Sequence, residues 1–241
     1  MTVAGAPADK PARLVAPGEA IEVLGPPPRF VGRGGEKLDA ALEQFGIEVA
    51  GREVLDAGAS TGGFTDALLQ RGATRVVALD VGHGQLDSRL RADQRVVVRE
   101  RTNVRHLSDG EAIGGAVDLV SADLSFISLR TVLPALVAVA RPGADLVMLV
   151  KPQFEAGRVE VARGRGVITD PDVWLRVLTE VKGAVIDLGA VIMGAMVSPL
   201  TGADGNVEFL LWARAPGGDT AAEPVDLDRV VAEAVARQAG D

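Results

Sequence analysis

The 241-residue sequence predicts an α/β fold: a mostly parallel, doubly wound sheet that ends in an antiparallel edge hairpin. Three observations carry that expectation. Short apolar runs alternate with stretches of helical spacing through most of the chain, and such alternation requires crossover connections and parallel strands. Five runs or turns end on Asp56, Asp80, Asn103, Asp123 and Lys151, and open sheets bind ligands beyond the carboxyl ends of their strands. The last two runs, 191–198 and 207–213, follow each other without a helix between them and read as a hairpin at the sheet edge.

Taken in order, residues 1–25 offer two short strands, 3–7 and 21–24, around a turn-rich middle, too little to bury a core. Pro26, Pro27 and Pro28 make a stiff linker. A helix follows, because Leu38, Ala41, Leu42 and Phe45 fall at i, i+3, i+4 and i+7. Lys37 opens it just off the apolar stripe, where a cation opposes the helix dipole. Next come a strand at 54–57, a helix to Arg71, a strand at 75–80, a short helix and a strand at 96–100. A turn at Asn103 leads to a strand at 117–123, a helix over 129–140 stopped by Arg141, Pro142 and Gly143, and a strand at 144–150. A long loop then runs to Thr169, with Arg158, Arg163 and Arg165 among glycines, a pattern that suits a phosphate-binding flap or an insertion without structure. Thr169 or Asp170 caps a helix to about residue 188, with Pro171 in its first turn. Glu208 lies just inside the last strand, and one helix, 227–239, occupies the tail.

The stretch D-A-G-A-S-T-G-G-F-T-D at 56–66 is a strand end, a glycine turn and a helix start. Gly58, Gly62 and Gly63 let the backbone approach a ligand and adopt positive φ. Asp56 can receive a cationic or amino group. Asp80, ending the next strand about 20 residues on, suits a ribose diol. The glycines lack the G-x-G-x-x-G spacing of dinucleotide sites, and D-x-G-x-x-x-G-G is nearer the S-adenosylmethionine loop of Rossmann-like methyltransferases. An ordinary glycine turn of an α/β domain has the same local form.

Composition narrows the chemistry. Without cysteine there are no disulfides, zinc–thiolate sites or cysteine nucleophiles, and with only His83 and His106 a histidine metal site is not expected. Tyr is absent and aromatics are 3%, which leaves little for base stacking. No apolar run approaches the roughly 18 residues of a membrane span, and the N-terminus lacks the apolar core of a signal peptide, so a soluble cytoplasmic protein is expected. The net charge is −8. Half of it sits in residues 215–241, which hold six acids and two Arg, for a net of −4. By contrast, Arg89, Arg91, Arg95, Arg99, Arg101 and Arg105 crowd one stretch, as a local basic face or a solvated, ion-paired surface.

The chain uses 21 Arg but only four Lys: Lys10, Lys37, Lys151 and Lys182. Arg stays protonated, whereas a buried Lys beside another cation shifts its pKa and can act as a general base. Lys151, after the apolar run 147–150, is the candidate; a surface lysine after a strand is the plain alternative.

Seven blocks in this order resemble one family: 33–38 (R-G-G-E-K-L), 56–66, 80–86 (D-V-G-H-G-Q-L), 101–105 (R-T-N-V-R), 123–129 (D-L-S-F-I-S-L), 150–155 (V-K-P-Q-F-E) and 206–209 (N-V-E-F). They look like TlyA, the FtsJ-related ribosomal RNA 2′-O-methyltransferases also called haemolysin A. The resemblance covers about 29–213 and implies a Rossmann-like methyltransferase fold with a seven-stranded sheet, S-adenosylmethionine as donor, no metal, and ribose 2′-hydroxyls of ribosomal RNA within ribosomal subunits as acceptor. The family's Lys–Asp–Lys–Glu tetrad falls on Lys37, Asp123, Lys151 and Glu208. Lys151, its pKa lowered by burial and by Lys37, would take or orient the hydroxyl proton, and Asp123 and Glu208 would hold the lysines. The cofactor set it implies is Asp56, Gly58, Ser60, Gly62, Gly63 and Phe64 of the loop, Asp80 at the ribose, and Asn103 and Asp123 on the adenine side.

One departure concerns the start. Family members carry a small N-terminal RNA-binding module, and residues 1–25 match only its end. The expected organisation is therefore a module remnant (1–25), a proline linker (26–28), a methyltransferase domain (29–215) and an acidic tail (216–241). A small-molecule O-methyltransferase is the competing reading, favoured by the acidic charge and few aromatics; the Arg-rich stretch and the 155–166 loop favour RNA. A membrane-active haemolysin finds neither a span nor a basic amphipathic helix.

Overall fold

Side-chain alternation along five strands divides the interior into two apolar layers, one on each face of a single sheet. In this computed structural model, all residues are described except 9, 11, 23, 25–27, 158–159, 162–163, 203, 219–222 and 241. The elements are β1 (Thr2–Val3), β2 (Ala6–Pro7), β3 (Ile21–Glu22), α1 (Gly34–Phe45), β4 (Glu53–Ala57), α2 (Gly63–Gln70), β5 (Arg75–Leu79), α3 (Ser88–Ala92), β6 (Val96–Arg99), β7 (Val117–Ala122), α4 (Leu129–Ala138), β8 (Ala140–Val150), α5 (Pro152–Glu155), α6 (Pro171–Asp187), β9 (Val191–Val197), β10 (Phe209–Arg214) and α7 (Leu227–Gly240). Short 3₁₀ turns stand at Val104–His106 and Gly110–Ile113.

The seven-stranded sheet has the order β6-β5-β4-β7-β8-β10-β9. β4 through β8 pair in parallel, and β10 runs antiparallel to both β8 and β9. Leu55, Val77, Val120, Met148 and Leu211 face a layer with α4, α6 and α7, while Val54, Val76, Leu119, Val147 and Leu210 face α1, α2 and α3. This two-residue period decides which strand-end side chains reach which face.

Several elements differ from expectation for identifiable reasons. The first segment is two strands, not one, because Ala4 and Gly5 adopt φ of 48° and 75° and turn the chain back. Much of the 26–28 linker lies outside the described residues, as do Arg158 and Arg163. β8 begins at Ala140: Val117 pairs with Ala140, the register then shifts, and Leu119 pairs with Asp145, so the expected helix stop at 141–143 is a bulge in the strand. After β8 the chain is not structureless, for Pro152 opens the short α5. Its Glu155 is buried and accepts from Ser128 Oγ (2.5 Å) and the Leu129 N–H (2.6 Å), capping α4. β10 starts at Phe209, which leaves Glu208 before the strand. α7 joins the main core through Leu227, Val230, Val231 and Ala234. Among the described residues, no helix is long and apolar enough to cross a membrane.

Asn206 ties the end of the long loop to the hairpin. Its Oδ1 accepts from the Ile168 N–H at 2.9 Å and its Nδ2 donates to the Gly166 carbonyl at 2.9 Å. Asn206→Ala strands two backbone groups, one of them in a buried bond, and should cost about 2–4 kcal/mol, read as a lower denaturation midpoint at constant slope. An unchanged midpoint would show that the loop is held by other contacts.

Candidate active site

The site grows from strand parity. Asp123 continues the face of Leu119, Lys151 that of Val147 and Leu149, and Glu208 that of Leu210, which is the face covered by α1. Antiparallel pairing of Phe209 with Val150 sets Glu208 opposite Lys151 at the end of the ladder. Lys37 comes from the first turn of α1. It is not a surface lysine: it is 7% exposed, Glu208 is 3% exposed, and Lys37 Nζ donates to Glu208 Oε2 at 2.5 Å. On the other side, Lys151 Nζ lies 2.5 Å from Asp123 Oδ1 and donates to Ser125 Oγ at 3.1 Å. The Lys151–Asp123 contact is an ion pair rather than an aligned hydrogen bond, because the buried Oδ1 has no hydrogen-bond partner. The four residues implied by the resemblance thus form two charge pairs at the carboxyl ends of β7 and β8.

Beside them opens a cavity of about 620 Å³ lined by Gly58, Ser60, Asp80, Asn103, Asp123 and Phe126, among others. Asp80 shapes its wall, accepting from the Ser60 N–H at 2.8 Å and the Gly82 N–H at 2.6 Å. Gly58 has φ of 89°, and a Cβ there would stand 2.3 Å from the Asp123 carbonyl oxygen. Only glycine therefore lets the loop lie against the end of β7.

Four other loop residues stand outside this lining. Gly62 starts α2 at φ of 101°, with Leu90 packed where a Cβ would sit. Gly63 touches the N-terminus of α1, where a Cβ would lie 2.9 Å from the Gly35 nitrogen, so two helix starts meet through glycines. The Phe64 ring is buried against Gly34 in the α1–α2 layer. Asp56 is fully buried; its Oδ2 accepts from Thr65 Oγ1 at 2.6 Å and its Oδ1 from Ser121 Oγ at 3.3 Å. Burial pushes its pKa up to about 7 against the lowering effect of the Thr65 bond, and the Asp123 charge adds to the rise.

Sequence reasoning did not single out Phe126. It is 92% exposed with φ of 63°, lines the cavity mouth and stacks at a tilt on Phe154, with centroids 5.2 Å apart. A bulky residue held exposed at positive φ is strained. The spacing of a positive-φ aromatic in a polar loop leaves no periodic signal. The Arg-rich stretch divides in two. Arg89, Arg91 and Arg95 pair with Asp87, Glu100 and Asp93. Among the described residues, Arg99, Arg101 and Arg105 form no ion pair, and Arg105 lines the cavity.

A cavity at the carboxyl ends of an open parallel sheet, with an antiparallel edge strand beyond it, defines a Rossmann-like methyltransferase. The FtsJ-like methyltransferase family matches residues 30–215, and the chain belongs to its TlyA members. It is 57% identical over 211 residues to the 16S/23S rRNA (cytidine-2′-O)-methyltransferase TlyA of Mycobacterium tuberculosis, spanning 87% of this chain and 78% of the relative. Hemolysin A of Brachyspira hyodysenteriae is 41% identical over 182 residues, 76% of this chain and 75% of that one. A solved structure from Streptococcus thermophilus superposes with a TM-score of 0.87 at 38% identity, over 98% of this chain and 85% of the other.

The buried Asp56 has a measurable consequence. With its folded pKa raised to about 7, the native state holds a proton that the unfolded chain releases near pH 4. Its contribution to stability is full below that value and is lost as pH rises through about 7. Asp56→Asn keeps the shape without the charge. Its melting temperature relative to the parent should rise by several degrees between pH 5 and pH 8, at about 2–4 °C per kcal/mol for a chain of this size. A difference that does not change with pH would mean that Asp56 titrates in the ordinary range.

Proposed function

We propose that the protein transfers a methyl group from S-adenosylmethionine to a ribose 2′-hydroxyl of ribosomal RNA. The observation that carries this reading is the Lys151–Asp123 pair, whose Asp123 lines the cavity, beside the buried Lys37–Glu208 pair. The cavity suits the cofactor: it has the volume of a nucleoside-sized ligand site, Asp80 stands at the end of β5 for a ribose diol, and Gly58 lets the loop close against the end of β7 at the cavity wall. Asp80, Gly58, Ser60 and Asn103 would hold it. When bound there it supplies an electrophilic methyl on a sulfonium. Asp56, Gly62, Gly63 and Phe64 act on this reading through the loop they support.

A ribose hydroxyl is a poor nucleophile at neutral pH. In its neutral amine form Lys151 orients the hydroxyl oxygen and receives its proton, becoming the ammonium whose charge Asp123 balances while holding it in place. Glu208 neutralises Lys37, so neither buried charge is left alone. Positioning supplies much of the rate, since effective molarities reach ~10⁵ M or more. Phe126 presents an aromatic face at the cavity mouth for the acceptor nucleoside, and Arg99, Arg101 and Arg105 meet phosphates. Cytidine is the favoured acceptor, being the nucleoside in the names of the M. tuberculosis and Campylobacter jejuni relatives.

Arginine cannot give up or accept a proton in this range. Lys151→Arg should lower methyl transfer to unmodified ribosomal subunits by ~10²-fold or more, while calorimetry shows the cofactor still bound. Normal turnover would remove Lys151 from the proton-handling role.

RNA binding by this site should fall steeply with salt through counterion release. Replacing Arg99, Arg101 and Arg105 together by Ala should flatten the slope of log K against log salt by about two units. A binding constant that ignores salt would favour a small-molecule acceptor instead.

A further inference from the structure

Residues 216–241 lie beyond the segment that the methyltransferase family matches, yet their helix reaches the back of the proposed active site. α7 inserts Leu227, Val230, Val231 and Ala234 into the main core, with Ala234 fully buried. Its last turns face the 198–208 connection of the β9–β10 hairpin. Arg237 Nη1 donates to the Ser198 carbonyl at 3.2 Å. The Ser198 N–H in turn donates to the Glu208 carbonyl at 2.9 Å. Arg237 is itself steadied by Glu233, one turn earlier on α7, at 2.5 Å.

Behind Glu208 lies a pocket of about 80 Å³ walled by Ser198, Pro199, Leu200 and Val207 from the hairpin and by Ala234, Arg237 and Gln238 from α7. It holds a few waters at most, so it is a packing seam and no ligand site. The turn is tight elsewhere as well. Ser198 Oγ donates to the Leu200 carbonyl at 2.6 Å, and a Cβ on Gly202 would fall 2.7 Å from Glu208 Oε1. The Glu208 carboxylate is thus confined on the hairpin side by backbone and on the far side by Lys37. The residue whose main chain anchors that arrangement, Ser198, is held from outside the family's segment.

We infer that α7 is a positioning element of the active site, with Arg237 setting Glu208, through Ser198, against Lys37. The inference rests on the reading of Glu208 as part of the methyl-transfer site. Arg237 touches neither cofactor nor acceptor on this account; it fixes the backbone from which Glu208 projects. The side chain is exposed, so replacing it leaves the apolar face of α7 intact.

The test uses the full chain with Arg237→Ala, Arg237→Lys and, as a control on the same helix, the exposed Arg229→Ala. Three readouts are followed: methyl transfer to ribosomal subunits, cofactor affinity by calorimetry, and amide hydrogen exchange across 198–208. Arg237→Ala should lose about tenfold or more in kcat, with cofactor affinity unchanged. Exchange should speed up in the 198–208 segment and stay unchanged in the 56–66 loop. Arg237→Lys, which can still donate to the Ser198 carbonyl, should recover most of both losses. Arg229→Ala should match the parent. Parental kcat and parental exchange in Arg237→Ala would overturn the inference, as would an equal loss in the control. If the parent itself methylates no RNA, the functional reading fails, and exchange in 198–208 alone decides whether Arg237 holds the Glu208 turn.

Discussion

The Lys37–Glu208 ion pair is the constraint on which the architecture turns. Taking two charges out of water costs several kcal/mol each, and only close contact offsets the loss. Here the contact is 2.5 Å, and it joins residues 171 positions apart. To make it, α1 must start close against the N-terminus of α2, which requires glycine at position 63, while a Cβ at Gly35 would collide with the Phe30 side chain. The β9–β10 hairpin must also end its ladder one residue short of Glu208, so that the carboxylate leaves the sheet on the α1 face. An apolar pair of the same volume would be easier to bury. Keeping a cation and a carboxylate there, next to a second lysine–carboxylate pair, fits the proton-handling role proposed for the site.

Asp123 couples this charge cluster to the cavity. Its N–H donates to the Ala57 carbonyl at 3.0 Å, its own carbonyl oxygen lies against Gly58, and its carboxylate meets Lys151. One residue therefore sets the height of the glycine loop and the place of the amine. Asp56, one strand over and beneath the same loop, feels the Asp123 charge as well. Retaining a carboxyl in that dry position is tolerable because it can hold its proton and keep both hydroxyl partners.

The sheet was legible because it rests on short-range pattern, whereas the tetrad came only through the resemblance and its pairing did not show in the sequence. Alternating apolar runs marked the strands, and polar residues closing them marked the ligand end. The scarcity of lysine singled out Lys151. What escaped the sequence depends on contacts between distant segments. Nothing local separates Gly58, which borders the cavity, from Gly63, which packs helix on helix. Asp56 looks like a ligand-facing acid until parity and α2 are seen to bury it. Glu155 and Asn206 sit inside recognisable blocks, but their visible work is to cap α4 and to pin the 166–168 backbone. The six arginines at 89–105 formed one cluster on paper, and the fold neutralises Arg89, Arg91 and Arg95 with acids that are two residues away or across a turn.

That division resolves the conflict between an acidic chain and a nucleic-acid substrate. Net charge matters less than the charges within a Debye length, about 8 Å at physiological salt. Arg99 ends β6 at one edge of the sheet, with Arg101 and Arg105 in the turns that follow and Arg105 on the cavity wall. The tail helix packs beside β9, the strand at the opposite edge. Seven strands make six intervals of about 4.8 Å, so close to 30 Å separates the two edges, more than three screening lengths. The acids of the tail helix, Asp228 and Glu233, are therefore electrostatically remote from the three arginines. A phosphate at the mouth of the cavity would meet Arg105, which forms no ion pair among the described residues, and the sign of the whole molecule does not decide what that mouth attracts.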